Sequence, residues 1–177
     1  MLSDVQLQEI AVKMHVPLEG IHFKNCMPQK LKYNVSYILN MEDELTEEGK
    51  PNDGSHWVAL QINKKDGNIQ PIYFDSFGVA PPVAVRTAVE SFCGKFLPHT
   101  SKDIQSLVSD MCGYYCLAFL HWINASQFRC GDLYADSHAF LDMFSDLNVE
   151  TDFSRNEFIL KHFFRSDEPS LRVPIEI

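Results

Sequence analysis

The 177-residue sequence predicts an α+β protein. Three observations carry that prediction. A strand-rich stretch, "HWVALQINKKDGNIQPIYFDSFG", turns back on itself at Asp66-Gly67, among the stronger short-range hairpin signals. A continuous apolar segment from about Cys112 to Asn124 is too long for a strand and too apolar all round for a surface helix. The remaining helical patterns are segregated from the cluster of strands, which separates α+β from an alternating βα order. A chain of this length buries about two thirds of its unfolded surface in one core, so residues 1–177 are expected to form a single domain.

The elements follow in order. In "LSDVQLQEIAVKMH", Val5, Ile10, Val12 and Met14 recur near helical spacing after a Ser3/Asp4 start signal, predicting a helix over about residues 4–14 that stops before Pro17. Residues from there past Pro28 read as irregular. "YNVSYILNM" is rich in β-favouring residues and reads as a strand, followed by the acidic loop "EDELTEEGKPNDGS", which leads to His56. A hairpin turn centred between Lys65 and Asp66 would pair His56 with Asp75, Val58 with Tyr73 and Leu60 with Pro71, with one or two residues of slip open because Pro71 cannot donate to the ladder. Val83–Phe96 is compatible with a helix, and "SKDIQSLVS" is short and ambiguous. After the apolar helix, "DSHAFLDMFSDL" and "SRNEFILKHFF" predict two more helices.

Composition narrows the function classes. A net charge of −9 argues against a phosphate-binding face and against DNA as a partner, since counterion release needs clustered Lys and Arg. No apolar run approaches the roughly 20 residues a membrane span requires, and the first residues lack a signal-peptide pattern. Five cysteines, an odd number, read as free thiols in a reducing, intracellular setting. No Cys-x-x-Cys pair exists, and Cys112, Cys116 and His121 would face partly different directions on one helix, so neither a metal nor another cofactor is expected.

Three groups of residues carry potential chemistry. His56 and Asp75, at one end of the hairpin, form the pairing that fixes an imidazole tautomer and orients it as a base; the alternative is a surface His and a strand-end Asp. Cys112 stands at the mouth of the apolar helix with Ser109 or Asp110 as its N-cap, where backbone N–H groups and the helix dipole favour a thiolate. The alternative for Cys112 is a packed, inert thiol, with Asp110 opposing ionisation; Cys116, one turn on, is read as inert. Gly113 leaves room for a substrate backbone to approach. Gln105, seven residues before Cys112, can donate to the oxyanion of a tetrahedral intermediate together with the Cys112 N–H, or simply face solvent.

In that order, "GSHWVAL", "YFDSFG" and "QSLVSDMCGYYC" resemble the adenovirus-type maturation proteases (adenain) and, more distantly, the SUMO-specific proteases of the same cysteine-peptidase clan. The resemblance rests on His56-Trp57, on Asp75 after an aromatic-rich run, and on Gln105 ahead of Cys112-Gly113, and it spans roughly residues 30–125. Separations of 19 from His56 to Asp75 and 37 from Asp75 to Cys112 suit a compact member. The sequence departs from the family where "SLVSDM" replaces the usual Pro-Asn between Gln and Cys, and in having Met111 directly before the Cys, which favours the viral branch.

The resemblance implies a cysteine-peptidase fold, in which a small mixed or antiparallel sheet packs on a central helix bearing the nucleophile. It also implies a Cys-His-Asp triad of Cys112, His56 and Asp75, with Gln105 in the oxyanion hole. Trp57 is either a wall of a narrow substrate channel or a core aromatic. The implied activity is endoproteolysis of viral or transposon-encoded precursors, with an activating peptide as a further partner, in the host nucleus or cytoplasm or inside a virion. Two alternatives stand beside it: a SUMO- or ubiquitin-like-specific isopeptidase, and an inactive protease-fold binding module.

Overall fold

The computed structural model describes residues 1–125, 131–149 and 152–164. Its order is α1 (Asp4–Lys13), β1 (Leu18–Phe23), β2 (Val35–Asn40), β3 (Trp57–Lys65), β4 (Asn68–Phe74), α2 (Val83–Cys93), α3 (Cys112–Asn124), α4 (Leu133–Leu141) and α5 (Ser154–Phe164). The four strands form one mixed sheet in sequence order: β1 runs parallel to β2, and β2, β3 and β4 are successively antiparallel. The α+β class and the sheet expected from sequence are thus present. β1 lies in the stretch read as irregular. "LEGIHF" alternates poorly and is only partly buried, so its strand character comes from its pairing with β2.

The strands read as near-continuous apolar runs because both faces of the sheet are covered. Trp57, Ala59, Ile72, Phe74 and Ile38 point into one core with α1, α3, α4 and α5, whereas Val58, Leu60, Ile62, Tyr73, Tyr37 and Leu39 point into a second core under α2. This period-2 division is the alternation that the covering helices hide in the sequence. Ten of the 13 residues of α3 are buried, which makes it the central helix of the larger core. Its far end is tied to the sheet by polar contacts: Asn124 Nδ2 donates to Ser36 Oγ at 3.3 Å and to Gln61 Oε1 at 3.2 Å. α4 ends at Leu141 rather than running on through "MFSDL". There, Phe144 packs as a core residue and Asn156 holds the Ser145 backbone through both its amide atoms, replacing helical bonds with side-chain ones.

The hairpin register differs from the expected one by two residues. Leu60 faces Tyr73 and Ile62 faces Pro71. The turn is Asp66-Gly67, flanked by the Lys65–Asn68 pair, with φ of 52° and 79° at its two central residues. Positive φ at both positions is the type I′ geometry that matches strand twist, and it centres the turn one residue later than assumed. The ladder therefore ends at the Ala59–Phe74 pair, and His56 and Asp75 lie just beyond it rather than facing each other as cross-strand partners.

Candidate active site

His56 and Asp75 come together through their side chains. His56 Nε2 lies 2.7 Å from Asp75 Oδ1. A carboxylate only accepts, so Nε2 is the donor, which leaves Nδ1 for the opposite side of the ring. The backbone N–H of Phe77 donates to the same Asp75 oxygen at 2.8 Å, and its ring stacks on the imidazole with centroids 4.6 Å apart. Phe77 therefore fixes both members of the pair. Its place in "FDSFG", two residues after the acid, was the signal available in sequence. On the other side of His56, the backbone carbonyl accepts from Met41 N–H at 2.9 Å, continuing the β2–β3 pairing to the edge of the site.

His56 is drawn to its protonated form. Burial acts to lower its pKa, but the hydrogen bond to Asp75, a side-chain hydrogen bond with Cys112 and the charges of both outweigh it and bring it to about 9. The Cys112 side chain is thus near enough to the Asp75-bound imidazole to help hold its proton. The cysteine is buried, 2% exposed, at the first position of α3. The helix has Met111 as its N-cap, with no side-chain capping hydrogen bond. This corrects the expected cap: Ser109 Oγ accepts from Met111 N–H instead, and Asp110 is engaged by the amino group of Met1 at 2.7 Å, a hydrogen bond that lowers its carboxyl pKa. The uncapped first turn presents its backbone N–H groups and the positive end of the helix dipole beside the sulfur.

Gln105 reaches the site by a different route. After α2, residues 98–100 run along the outer edge of β4, where Tyr73 N–H donates to Pro98 O at 3.0 Å and Thr100 N–H donates to Tyr73 O at 3.1 Å. The chain then passes Ser76, whose carbonyl accepts from Ile104 N–H at 2.8 Å and from Gln105 N–H at 3.2 Å. Gln105 is buried, not solvent-facing. The approach of these two segments requires Gly78: it has φ +70°, and a Cβ built there would stand 2.5 Å from Ser101 O. Gly78→Ala is expected to cost ~2 kcal/mol, read as a lowered urea midpoint, because the opposing atom is backbone and cannot rotate away.

Two residues predicted to meet substrate are committed elsewhere. Trp57 is 5% exposed in the larger core, and its indole N–H donates to Leu2 O at 2.9 Å. Of its two readings the structure places it as a core aromatic, tying the start of α1 to the sheet. Around Gly113, the space expected for a substrate is filled by Leu7 of α1 and by Leu2 ahead of it: a Cβ would meet Leu7 Cδ2 at 3.1 Å and Leu2 Cδ1 at 3.2 Å. Its small size serves helix packing. Cys116 is fully buried and its thiol pKa is raised well above normal by desolvation. Among the described residues no three His, Cys, Asp or Glu side chains cluster in a way that could hold a metal ion. Nor is any helix among them long and apolar enough to cross a membrane.

Neither a family model nor a curated protein matches the sequence. Among solved structures, the chain is similar to the ASFV pS273R protease, with a TM-score of 0.44 and 18% identity over 90% of this chain and 62% of that one. It is also similar to AvrA with IP6 and CoA, with a TM-score of 0.40 and 14% identity over 67% of this chain and 45% of that one. A third is the RavZ effector of Legionella pneumophila, at 0.33 and 16% over 81% and 52%. This chain spans 45 to 62% of the length of these proteins. Likeness at this level establishes neither a shared activity nor a shared substrate.

Proposed function

We propose that the chain is a cysteine endopeptidase of the adenain-like type, acting on polypeptide precursors. The observation that carries this reading is the His56 imidazole, bonded to Asp75 through Nε2 and meeting the Cys112 side chain, with its pKa raised to about 9. A protonated imidazole beside a thiolate is the activated nucleophile of acyl transfer. The Cys112 sulfur attacks the scissile carbonyl and the C–N bond breaks as His56 protonates the leaving amine. Water, deprotonated by His56, then releases the acyl group as a carboxylic acid and restores the thiolate–imidazolium pair. Gln105 and the Cys112 backbone N–H receive the oxyanion, for which one donor is worth about 3–4 kcal/mol.

The test uses the other thiols as internal references. Burial raises the pKa of Cys93 and Cys116, and a hydrogen bond from Cys26 to Glu44 raises that of the exposed Cys26. At pH 6, iodoacetamide is therefore expected to modify Cys112 at least tenfold faster than Cys26, Cys93 or Cys116, located by peptide mass spectrometry. The modified protein should lose all cleavage of a glycine-containing peptide library. Cleavage that survives stoichiometric modification of Cys112 would sink the proposal. The pH dependence has a definite sign. Because the His56 pKa is raised from 6.5 to about 9, the imidazolium that protonates the leaving amine persists through neutrality, and cleavage should fall as pH rises through about 9. The stability contributed by this proton is complete below about pH 6.5 and is lost over the same rise.

A further inference from the structure

We infer that Ser76 is a positioning residue that sets which face of the Gln105 amide donates, and thereby how strongly a carbonyl is polarised at Cys112. The inference rests on the acyl-transfer reading above. Gln105 makes two side-chain hydrogen bonds: Nε2 donates to the Ser109 carbonyl at 2.8 Å, and Oε1 accepts from Ser76 Oγ at 2.6 Å. The first bond decides the orientation of the amide, because a backbone carbonyl has no proton to give and would repel Oε1. With Oε1 turned towards Ser76, the hydroxyl must be the donor. One Nε2 proton is taken by Ser109, and the second is left for an oxygen of a bound substrate.

Ser76 is fully buried and adjoins Asp75, so it has no solvent alternative for its hydroxyl. Its carbonyl also accepts from Ile104 N–H and Gln105 N–H. Two bonds from one residue thus hold Gln105 at backbone and side chain and a third holds the neighbouring Ile104, while the preceding residue, Asp75, holds His56. Removing the hydroxyl leaves Oε1 buried without its partner, and the amide can then rotate to recover a donor, turning Nε2 away from Ser109 and from the reacting carbonyl.

Two reagents that attack the same sulfur separate this role from general loosening. p-Nitrophenyl acetate acetylates Cys112 by forming an S–C bond and releasing p-nitrophenolate through a tetrahedral oxyanion. Iodoacetamide alkylates it by displacement of iodide and forms no oxyanion. Ser76→Ala is expected to slow acetylation of Cys112 about tenfold, with alkylation at pH 6 changed less than twofold, both followed by mass spectrometry on the full chain. Ser76→Cys, close in size and a weaker donor, should fall between Ser and Ala for acetylation only, and it carries the test if the Ala variant fails to fold. In a Gln105→Ala background, Ser76→Ala should have no further effect. Equal loss in both reactions, unchanged acetylation, or an additive loss in the Gln105→Ala background overturns the role of Ser76. A wild-type protein alkylated at Cys112 but never acetylated overturns the acyl-transfer reading itself.

Discussion

Asp75→Asn is expected to lower kcat/KM for peptide cleavage by about 10⁴-fold with little change in fold, since Asn is nearly isosteric with Asp. Asp75 does two things that an amide cannot do together. Its Oδ1 accepts from both His56 Nε2 and Phe77 N–H, which fixes Nε2 as the donor and leaves Nδ1 for proton exchange, and its charge supports the imidazolium. An Asn at this position can turn its NH₂ towards Nε2, which selects the wrong tautomer, or its oxygen, which keeps the tautomer but loses the charge. Because Asp75 is one of the groups holding the His56 pKa up, the alkaline fall in activity should also move below its wild-type position near pH 9. A pH profile of kcat/KM for both proteins checks both effects. A loss below about tenfold, or an unmoved alkaline limb, would show that Asp75 does not act through His56.

The second large effect concerns the core that carries the nucleophile. Phe119, two turns along α3 from Cys112, is fully buried, stacks on Phe74 of β4 with centroids 4.3 Å apart, and meets Phe140 of α4 edge-on at 5.5 Å. It joins the central helix to the strand that ends just before Asp75. Phe119→Ala should destabilise the fold by about 4 kcal/mol, from lost apolar burial, the cavity left behind and two aromatic pairings. The midpoint and slope of urea unfolding report it. At concentrations where the variant remains folded, alkylation of Cys112 at pH 6 should also slow, because the helix start and the end of β4 lose the packing that keeps them in register.

Much of this arrangement is legible in particular residues. Asp66-Gly67 marks the turn because few residue pairs tolerate positive φ at both positions. The unbroken apolar run of α3 signals a central helix because burial on all sides leaves no polar stripe. His56, Asp75, Gln105 and Cys112 stand out for their residue types, their order and their spacing. Local signals do not set the hairpin register, because moving the turn centre by one residue shifts every pair by two while keeping each side chain on its face. β1 is equally silent, since its pairing with β2 and not its own pattern makes it a strand.

By itself, then, the sequence determined the α+β layout, the central helix and the four polar residues that could do chemistry, because hydrophobic period, turn chemistry and residue type are local properties. Only the tertiary structure decided that His56 meets Asp75 beyond the end of the ladder, and that Trp57 and Gly113 serve the packing of α1. It likewise decided that Phe77 and Ser76 hold the imidazole and the Gln105 amide. Those outcomes depend on which surfaces reach one another across the fold, and a bond between residues 29 apart, as between Ser76 and Gln105, leaves no trace in the neighbourhood of either.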